Sequence, residues 1–178
     1  MIVGSDETTL KHFLFPGTLF AAPEDHRIST VLGSCVAVCL WDSVARMGGI
    51  NHYMLPLWNG EGLATPKYGN IAIKKLLARV LAMGCRQENL VAKVFGGANV
   101  MGTGNEVFMI GDRNVILAYQ MLEEYGIPVA ASDVGGRVGR KIVMHTATGI
   151  VLVGKGRRLA AGAHSLSSRR ADSLGPLW

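Results

Sequence analysis

Two apolar runs separated by a short polar segment constrain the fold of this chain more than any other feature. The runs Val36–Trp41 and Met47–Met54 flank the sequence Asp-Ser-Val-Ala at residues 42–45. Short apolar runs joined in this way are typical of an antiparallel β-hairpin. The chain is therefore predicted to build a β-sheet, and its helices are expected to pack against that sheet.

Helical periodicity is strong in one segment. From Asn70 to Met83 apolar side chains recur at helical spacing and basic side chains fill the other face, so the pattern predicts an amphipathic helix that Gly84 ends. A second helix is predicted over roughly Asn114–Glu124, ended by Gly126. Further strands are predicted at Arg27–Leu32, Leu90–Phe95, Ile127–Ser132, Lys141–Thr146 and Ile150–Val153, with a turn at Pro16-Gly17 leading into another. Together these elements predict an α/β (α+β) fold of layered sheets with helices packed on the outside.

The length and composition favour one domain. The chain has 178 residues, of which 49% are apolar, and no linker-like run divides it. We expect one domain over residues 1–158 and a flexible basic tail over residues 159–178, which is rich in Ser, Ala and Arg. Charged residues occupy the position of a signal-peptide core, and no apolar run is long enough to cross a bilayer. The sequence therefore predicts a cytoplasmic protein without membrane insertion.

The positive charge is unevenly distributed. The formal net charge is +5, and the segment from Val134 to Arg170 holds eight basic residues and no acidic one. Such an excess can attract nucleic acid or an acidic protein surface. No helix-turn-helix, aromatic RNA-stacking motif or metal finger accompanies it, so we expect no nucleic-acid partner. A solvated basic face is the ordinary interpretation, and an acidic protein surface is the alternative.

Cys35 and His52 form the candidate reactive pair. If residues 42–45 connect the hairpin, opposed residues have numbers that sum to 87, and Cys35 faces His52. Directly opposed Cβ atoms lie about 4.5 to 5.5 Å apart, which brings a thiol and an imidazole within hydrogen-bonding reach. A slip of one residue would send the two side chains to opposite faces, so the prediction depends on the register.

A neighbouring imidazole converts an ordinary thiol into a nucleophile. A free thiol has a pKa of about 8.5 and is mostly protonated at neutral pH. The turn Leu32-Gly33-Ser34 before Cys35 gives room for a substrate backbone, and its N–H groups can face a developing oxyanion. A hydroxyl that orients the base is expected just upstream. Ser29 shares the alternation of Cys35 if the strand continues, and Thr30 is the alternative.

These residues also have interpretations without chemistry. Free cysteine is among the most buried residue types, so composition alone favours Cys35 as a core residue, and His52 can be structural. Cys39 and Cys85 have no histidine placed to activate them and are expected in the core as reduced thiols. The spacing of Cys35, Cys39, Cys85 and His52 is not typical of zinc ligands. A cysteine phosphatase loop is excluded, because no cysteine has Arg six residues later. The glycines within residues 95–99 match no nucleotide-binding motif. We expect no metal and no cofactor.

Several motifs together resemble the CheD family of chemoreceptor glutamine deamidases. They are FPGTLF, TVLGSCVAVCLWD, GGINHYMLP, YGNIAIKKLL, KVFGGANVM, IGDRNV and DVGGRVGRKI. The resemblance covers about nine tenths of the chain and leaves out the tail. The combination of LGSC with GG-x-N-H-x-M-L-P is its most specific part.

The resemblance implies a fold similar to that of bacterial deamidase toxins and a Cys-His active site with a hydroxyl residue as third member. Cys35 matches the nucleophile and His52 the general base. The hydroxyl position falls on Ser29 in an alignment without gaps, although Thr30 lies next to it. We expect the substrate to be bound by Thr30, Gly33, Ser34, Asn51, Gly96 and Gly97.

The implied reaction converts receptor glutamine to glutamate through a thioester, without a cofactor. The implied partners are chemoreceptor cytoplasmic helical domains and a CheC-type phosphatase, and methyl esters of receptors would react by the same chemistry. We expect the basic stretch, including Arg137 and Arg140, to steer the protein onto glutamate-bearing helices. Two alternatives remain: a non-catalytic chemotaxis adaptor that binds receptors or a CheC-type phosphatase, and a thiol peptidase or amidase acting on a small molecule.

Overall fold

The computed structural model describes residues 9–100 and 107–156, and in this part of the chain it has two β-sheets and two α-helices. The predicted mixed α and β fold is confirmed. The predicted tail at 159–178 and part of the loop after Gly97 lie outside the described residues. The elements are β1 (Leu10–Phe13), β2 (Thr18–Ala22), β3 (His26–Leu32), β4 (Val36–Asp42), β5 (Met47–His52), α1 (Gly69–Ala82), β6 (Leu90–Gly96), α2 (Val107–Glu124), β7 (Val129–Val134), β8 (Arg140–His145) and β9 (Val151–Lys155), with a short 3-10 turn at Gln87–Asn89 before β6.

The two sheets stack, and both helices pack on the outer face of the larger one. The five-stranded sheet has the order β2-β5-β4-β6-β7, and the four-stranded sheet has the order β1-β3-β8-β9. Pairing is antiparallel except between β6 and β7 and between β1 and β3. Helix α1 packs on β5 and β2, and α2 packs on β6 and β4. The order of layers is therefore helices, five-stranded sheet, four-stranded sheet.

Strand β4 contributes to two apolar cores at once. Val36, Val38 and Leu40 pack towards the helices, whereas Ala37 and Cys39 pack towards the four-stranded sheet. Because successive side chains in a strand point to opposite faces, a strand covered on both sides is apolar throughout. This explains why its sequence is a continuous apolar run.

Both predicted helix ends are confirmed, and both use the same backbone device. Gly84 and Gly126 have positive φ angles of 105° and 66°. After α1 the N–H of Cys85 donates to the carbonyl of Val80, and after α2 the N–H of Ile127 donates to the carbonyl of Leu122. These bonds satisfy carbonyls that the end of a helix leaves without partners.

The predicted start of α2 is wrong, because the helix begins at Val107 rather than near Asn114. The sequence before Asn114 contains Gly111, and glycine is a poor helix former. In the structure Gly111 is a packing position: a Cβ added there would lie 2.7 Å from the carbonyl oxygen of Gly97. The glycine allows α2 to approach the loop after β6 closely.

The β4–β5 hairpin forms, but its register differs from the prediction by two residues. Asp42 belongs to β4 and pairs with Met47, so opposed residues have numbers that sum to 89. The Asp42 carboxylate accepts the N–H groups of Val44 and Ala45 at 2.8 Å each, and Arg46 has a φ of 54°. The turn therefore starts after Asp42 and not at it. An error of two residues keeps every side chain on its predicted face.

The basic stretch does not present all of its charges to solvent. Arg140 is buried, and its guanidinium pairs with the carboxylate of Asp133 at 2.5 Å and donates to backbone carbonyls of Asp133 and Gly135. It joins the end of β7 to β8 and thereby links the two sheets. Arg140 is therefore not a surface residue that steers a partner, whereas Arg137 is exposed. No helix in the described residues is long and apolar enough to cross a membrane.

Candidate active site

Three strand segments bring Thr30, His52 and Cys35 into the layer between the two sheets. Thr30 lies in β3, His52 ends β5 and Cys35 immediately precedes β4. Because side chains alternate along a strand, each shares its face with residues of the apolar core between the sheets. These core residues are Ile28 and Leu32 in β3, Ile50 in β5, and Ala37 in β4.

Cys35 and His52 are diagonal neighbours across the β4–β5 pair. Val36 and Tyr53 exchange two backbone hydrogen bonds of 3.1 and 3.0 Å. This register sets Cys35 opposite Met54, and His52 is two residues away from Met54 on the same face. Diagonal neighbours in an antiparallel pair lie about 7 to 8 Å apart, within reach of a long or aromatic side chain.

The Thr30 hydroxyl determines which nitrogen of His52 carries the proton. Its Oγ1 lies 2.7 Å from the carbonyl oxygen of Leu14 and 2.7 Å from Nδ1 of His52. A hydroxyl has a single hydrogen, and the carbonyl can only accept, so Thr30 donates to Leu14. Oγ1 then accepts the Nδ1–H of His52. Nε2 is therefore left with its lone pair.

His52 is buried as a neutral base. Its side chain is 1% exposed, and Nε2 has no hydrogen-bond partner among the described residues. Burial lowers the pKa of His52 to about 4, because a charged imidazolium would lose its hydration. At neutral pH the imidazole can therefore accept a proton at Nε2.

Cys35 is half-buried and rests as a thiol. Burial raises the pKa of its thiol, and hydrogen bonding from the residue's own backbone N–H opposes that rise. A raised thiol pKa beside a lowered imidazole pKa means that the resting pair is neutral, not a thiolate-imidazolium ion pair. Deprotonation of the thiol then has to accompany attack on a substrate.

Gly96, the last residue of β6, and Gly97 after it support the backbone at Cys35. The N–H of Gly97 donates to the carbonyl of Cys35 at 2.8 Å, and the N–H of Ala98 donates to the carbonyl of Gly33 at 2.8 Å. Gly96 has a φ of 109°, and a Cβ there would lie 2.1 Å from the Cys35 oxygen. Any side chain at Gly96 would displace Cys35.

Comparison with known proteins gives the same family as the motifs. The family model described as CheD chemotactic sensory transduction matches residues 54–155. A relative from Trichlorobacter lovleyi, named probable chemoreceptor glutamine deamidase CheD, is 62% identical over 148 residues, which is 83% of this chain and 92% of the relative. The chain belongs to the CheD family.

Two further members of the CheD family are similar over comparable lengths. The Sulfurimonas denitrificans protein of the same name is 46% identical over 144 residues, or 80% of this chain and 92% of its own. Probable chemoreceptor glutamine deamidase CheD 1 of Anaeromyxobacter dehalogenans is 47% identical over 141 residues, or 79% of this chain and 82% of its own. An alignment over 83% of 178 residues has to include residues 35–52 wherever it begins, so the similarity to CheD includes both Cys35 and His52.

Thr30, and not Ser29, is the hydroxyl residue that contacts His52 in this CheD family member. Ser29 has the same strand parity as Val31, which is 57% exposed on the outer face of the four-stranded sheet. Counting the alternation from Cys35 back to Ser29 fails because β3 and β4 belong to different sheets. The turn at residues 33–35 carries the chain from one sheet to the other.

The other predicted substrate-binding residues lie around the pair, but several support the backbone. Asn51 is fully buried, and its Oδ1 accepts the Val38 N–H at 2.9 Å, in place of a ladder bond between the strands. Strand alternation directs Asn51 away from the face of His52. The carbonyl of Ser34 accepts a hydrogen bond from the side chain of Asn114 in α2.

Sequence reasoning missed Asn114, a fully buried residue of α2. Its Nδ2 donates to the carbonyl of Ser34 at 3.1 Å and to that of Met54 at 3.0 Å. The hydroxyl of Tyr53 donates to the Asn114 backbone carbonyl at 2.5 Å. Asn114 belongs to the IGDRNV motif, but only the folded chain connects this helix to the turn before Cys35. Leu14, which accepts the Thr30 hydroxyl, was missed for the same reason.

The described residues contain no group of three or more His, Cys, Asp or Glu side chains that could hold a metal ion. Cys39 packs between the two sheets, whereas Cys85 packs on the helix side of the larger sheet. The sheet itself separates the thiols that a zinc site would have to combine.

Proposed function

We propose that this protein is a chemoreceptor glutamine deamidase in which Cys35 is the nucleophile, His52 the general base and Thr30 the residue that orients His52. The substrate is the side-chain carboxamide of glutamine in the helical cytoplasmic domain of a receptor. Relatives named probable chemoreceptor glutamine deamidase, at up to 62% identity, support a glutamine of a chemoreceptor as the substrate.

In the proposed acylation step, Nε2 of His52 takes the thiol proton as the sulfur of Cys35 attacks the carboxamide carbon. The carbonyl electrons move to oxygen, and N–H groups of the turn before Cys35 stabilise the resulting oxyanion. His52 then gives its proton to the departing amine. Ammonia leaves, and a thioester joins the substrate to Cys35.

In the proposed deacylation step, Nε2 of His52 takes a proton from water, which attacks the thioester carbon. The carbon-sulfur bond breaks, the thiolate recovers the proton from His52, and the new carboxylic acid loses its remaining proton to solvent as glutamate is released. A neutral amide thereby becomes a carboxylate, and the chemistry requires only this chain and water.

The observation that carries the proposal is the chain of hydrogen bonds from Leu14 through Thr30 to His52. It supports a proton on Nδ1 and a lone pair on Nε2, which has no hydrogen-bond partner among the described residues. A histidine kept for structure alone would be expected to satisfy both ring nitrogens when buried.

The direct test incubates the purified protein with a chemoreceptor cytoplasmic fragment from the same organism, followed by peptide mass spectrometry and an assay for released ammonia. We expect the mass change of amide-to-acid conversion at particular glutamines and no change with Cys35→Ala. If wild type and Cys35→Ala both bind the fragment and neither alters it, the protein is an adaptor. Ammonia released from simple amides, with no receptor modification, would instead indicate a small-molecule amidase.

The finer predictions from the sequence belong to the same proposal. They are a cytoplasmic location, a CheC-type phosphatase as a second partner, and a fold similar to bacterial deamidase toxins. Arg137, which is exposed, keeps its proposed role in steering onto acidic helices, whereas Arg140 does not. Charge reversal at Arg137 should lower activity more at low salt than at high salt.

A further inference from the structure

We infer that Asn114 is a positioning residue that aims the backbone N–H of Cys35 at the substrate oxyanion. The inference rests on the proposed function, because it assigns part of the oxyanion site to that reaction. Asn114 itself reaches only backbone: its Nδ2 donates to the carbonyls of Ser34 and Met54 at 3.1 and 3.0 Å.

The geometry follows from the planarity of the peptide bond. The carbonyl of Ser34 and the N–H of Cys35 belong to one trans peptide, so they point in opposite directions. A donor that fixes the carbonyl therefore fixes the direction of the N–H as well. The next peptide upstream is held in the same manner, because the N–H of Ala98 donates to the Gly33 carbonyl at 2.8 Å and so orients the N–H of Ser34.

The Cys35 N–H lies close to the reacting atom through covalent geometry alone, because only Cα and Cβ separate the backbone nitrogen from Sγ within the residue. When the sulfur bonds to a carboxamide carbon, the oxygen on that carbon comes next to the same N–H. A preorganised N–H group at this place meets the requirement for stabilising an oxyanion.

Asn114 can hold this direction firmly because it is itself held. It is fully buried, and the Tyr53 hydroxyl donates to its backbone carbonyl at 2.5 Å. Its amide orientation is determined, because exchanging the amide oxygen and nitrogen would place an acceptor against two carbonyl oxygens. The residue therefore links α2 to the two backbone segments that meet at Cys35.

The test compares Asn114→Asp, which has nearly the same shape and cannot donate to two carbonyls when ionised, with Asn114→Ala, which adds no buried charge. The control is Asn70→Asp. Asn70 is also an asparagine of a helix, but its Oδ1 accepts the N–H of Trp58 at 3.0 Å, and Asp can still accept it. Thermal unfolding identifies variants that remain folded, and Asn114→Ala carries the test if Asn114→Asp unfolds.

The first measurement is kcat and KM for receptor deamidation. We expect kcat to fall between about 10-fold and 1000-fold in both Asn114 variants with KM little changed, because losing an oxyanion donor has costs of this order. Asn70→Asp should retain wild-type kcat. A wild-type kcat in Asn114→Ala would overturn the inference.

The second measurement does not require a receptor and separates this role from a structural one. Iodoacetamide alkylates a thiol by displacement at carbon without forming an oxyanion, so alkylation of Cys35 should proceed within about threefold of the wild-type rate. Butanal should protect wild-type Cys35 from alkylation by forming a hemithioacetal with it. The sulfur bonds to the aldehyde carbon, the carbonyl oxygen becomes an oxyanion, and the thiol proton passes through His52 to that oxygen. We expect the Asn114 variants to require at least about tenfold more butanal for equal protection.

Two outcomes of this measurement contradict the inference. Unchanged butanal protection would show that Asn114 does not act on the oxyanion site. A parallel fall in alkylation and kcat would show that it only holds the Cys-His pair or the fold. If the wild type deamidates no receptor, the proposed function fails, whereas butanal protection still decides the role of Asn114.

Discussion

The two ends of the β4–β5 hairpin differ in how completely their polar groups are satisfied. At the turn end the ladder is continuous from Cys39 opposite Ile50 to Asp42 opposite Met47. At the other end the Val38 N–H bonds to the side chain of Asn51 and not to the opposite strand's backbone, and the strands are next joined by the bridge between Val36 and Tyr53.

Buried polar atoms follow the same division. The Asp42 carboxylate accepts three backbone N–H groups, from Val44, Ala45 and Arg86, each at 2.8 Å. At the end of the hairpin away from the turn, three buried polar atoms have no hydrogen-bond partner in the described part of the chain: Asn51 Nδ2, His52 Nε2 and Asn114 Oδ1. Such atoms are costly to bury. The turn end of the hairpin therefore stabilises the fold, whereas the unpartnered buried atoms at the other end, where the proposed active site lies, lower its stability.

The largest expected difference in activity is between substitutions of Cys35 and Cys39. Both residues lie on the same face of the sheet, but Cys35 is at the end away from the turn and Cys39 is in the continuous ladder. Cys35→Ala should lower deamidation by about 10⁴-fold or more, as loss of a nucleophile does. Cys39→Ala should leave activity per folded molecule unchanged, since burial raises the pKa of Cys39 to about 12 and keeps it a thiol. Cys39→Ala should instead destabilise the fold by about 1 kcal/mol. Equal activity losses in the two variants would refute the division.

Thr30→Val should give the next largest effect. Valine has almost the same shape as threonine but cannot accept the Nδ1–H of His52, and hydrogen bonds to charged groups contribute about 1.5 to 3 kcal/mol. We expect kcat to fall about 10-fold to 100-fold. Ser29→Ala is the matched control on the opposite face of β3 and should be neutral. Greater loss with Ser29→Ala than with Thr30→Val would assign the orienting role to Ser29.

Asp42→Ala should affect stability without affecting chemistry. It leaves three backbone N–H groups without their acceptor, and a typical hydrogen bond contributes about 0.5 to 1.5 kcal/mol to stability. Chemical denaturation should show a lower free energy of unfolding. Activity per folded molecule should remain at the wild-type level, and a change in KM or kcat would show that the two ends are coupled.

A pH dependence of stability is expected from His52. The histidine has a pKa of about 6.5 in an unfolded chain and about 4 in the fold. Between these values the unfolded chain binds more protons, so stability rises with pH across this window and is lost as pH falls towards 4. The slope should be at most about 1.4 kcal/mol per pH unit. His52→Gln should flatten the profile by this amount, and an unchanged slope would contradict the buried neutral state.

The sequence predicted what depends on local pattern. Gly84 and Gly126 ended the helices as expected, because helix termination needs only nearby residues. Cys35 and His52 shared a face despite a register error of two residues, because strand alternation has a period of two. The start of α2 was missed because Gly111 serves a contact with Gly97, which is far away in the sequence.

The orienting hydroxyl could not be chosen from one sequence. Ser29 and Thr30 are adjacent, and only the assignment of β3 to the four-stranded sheet decides which of them faces His52. Strand β1 was missed as well, and with it the Leu14 carbonyl that accepts the Thr30 proton. These contacts join different sheets, so periodicity along the chain carries no information about them.

Nitrogen NMR of protein with ¹⁵N-labelled histidine tests the central claim most directly, because it reports the protonation of each ring nitrogen of His52. At neutral pH we predict a neutral ring with the proton on Nδ1 and a bare Nε2. In Thr30→Val this preference should weaken. A His52 that carries its proton on Nε2, or that is an imidazolium at neutral pH, would contradict the account.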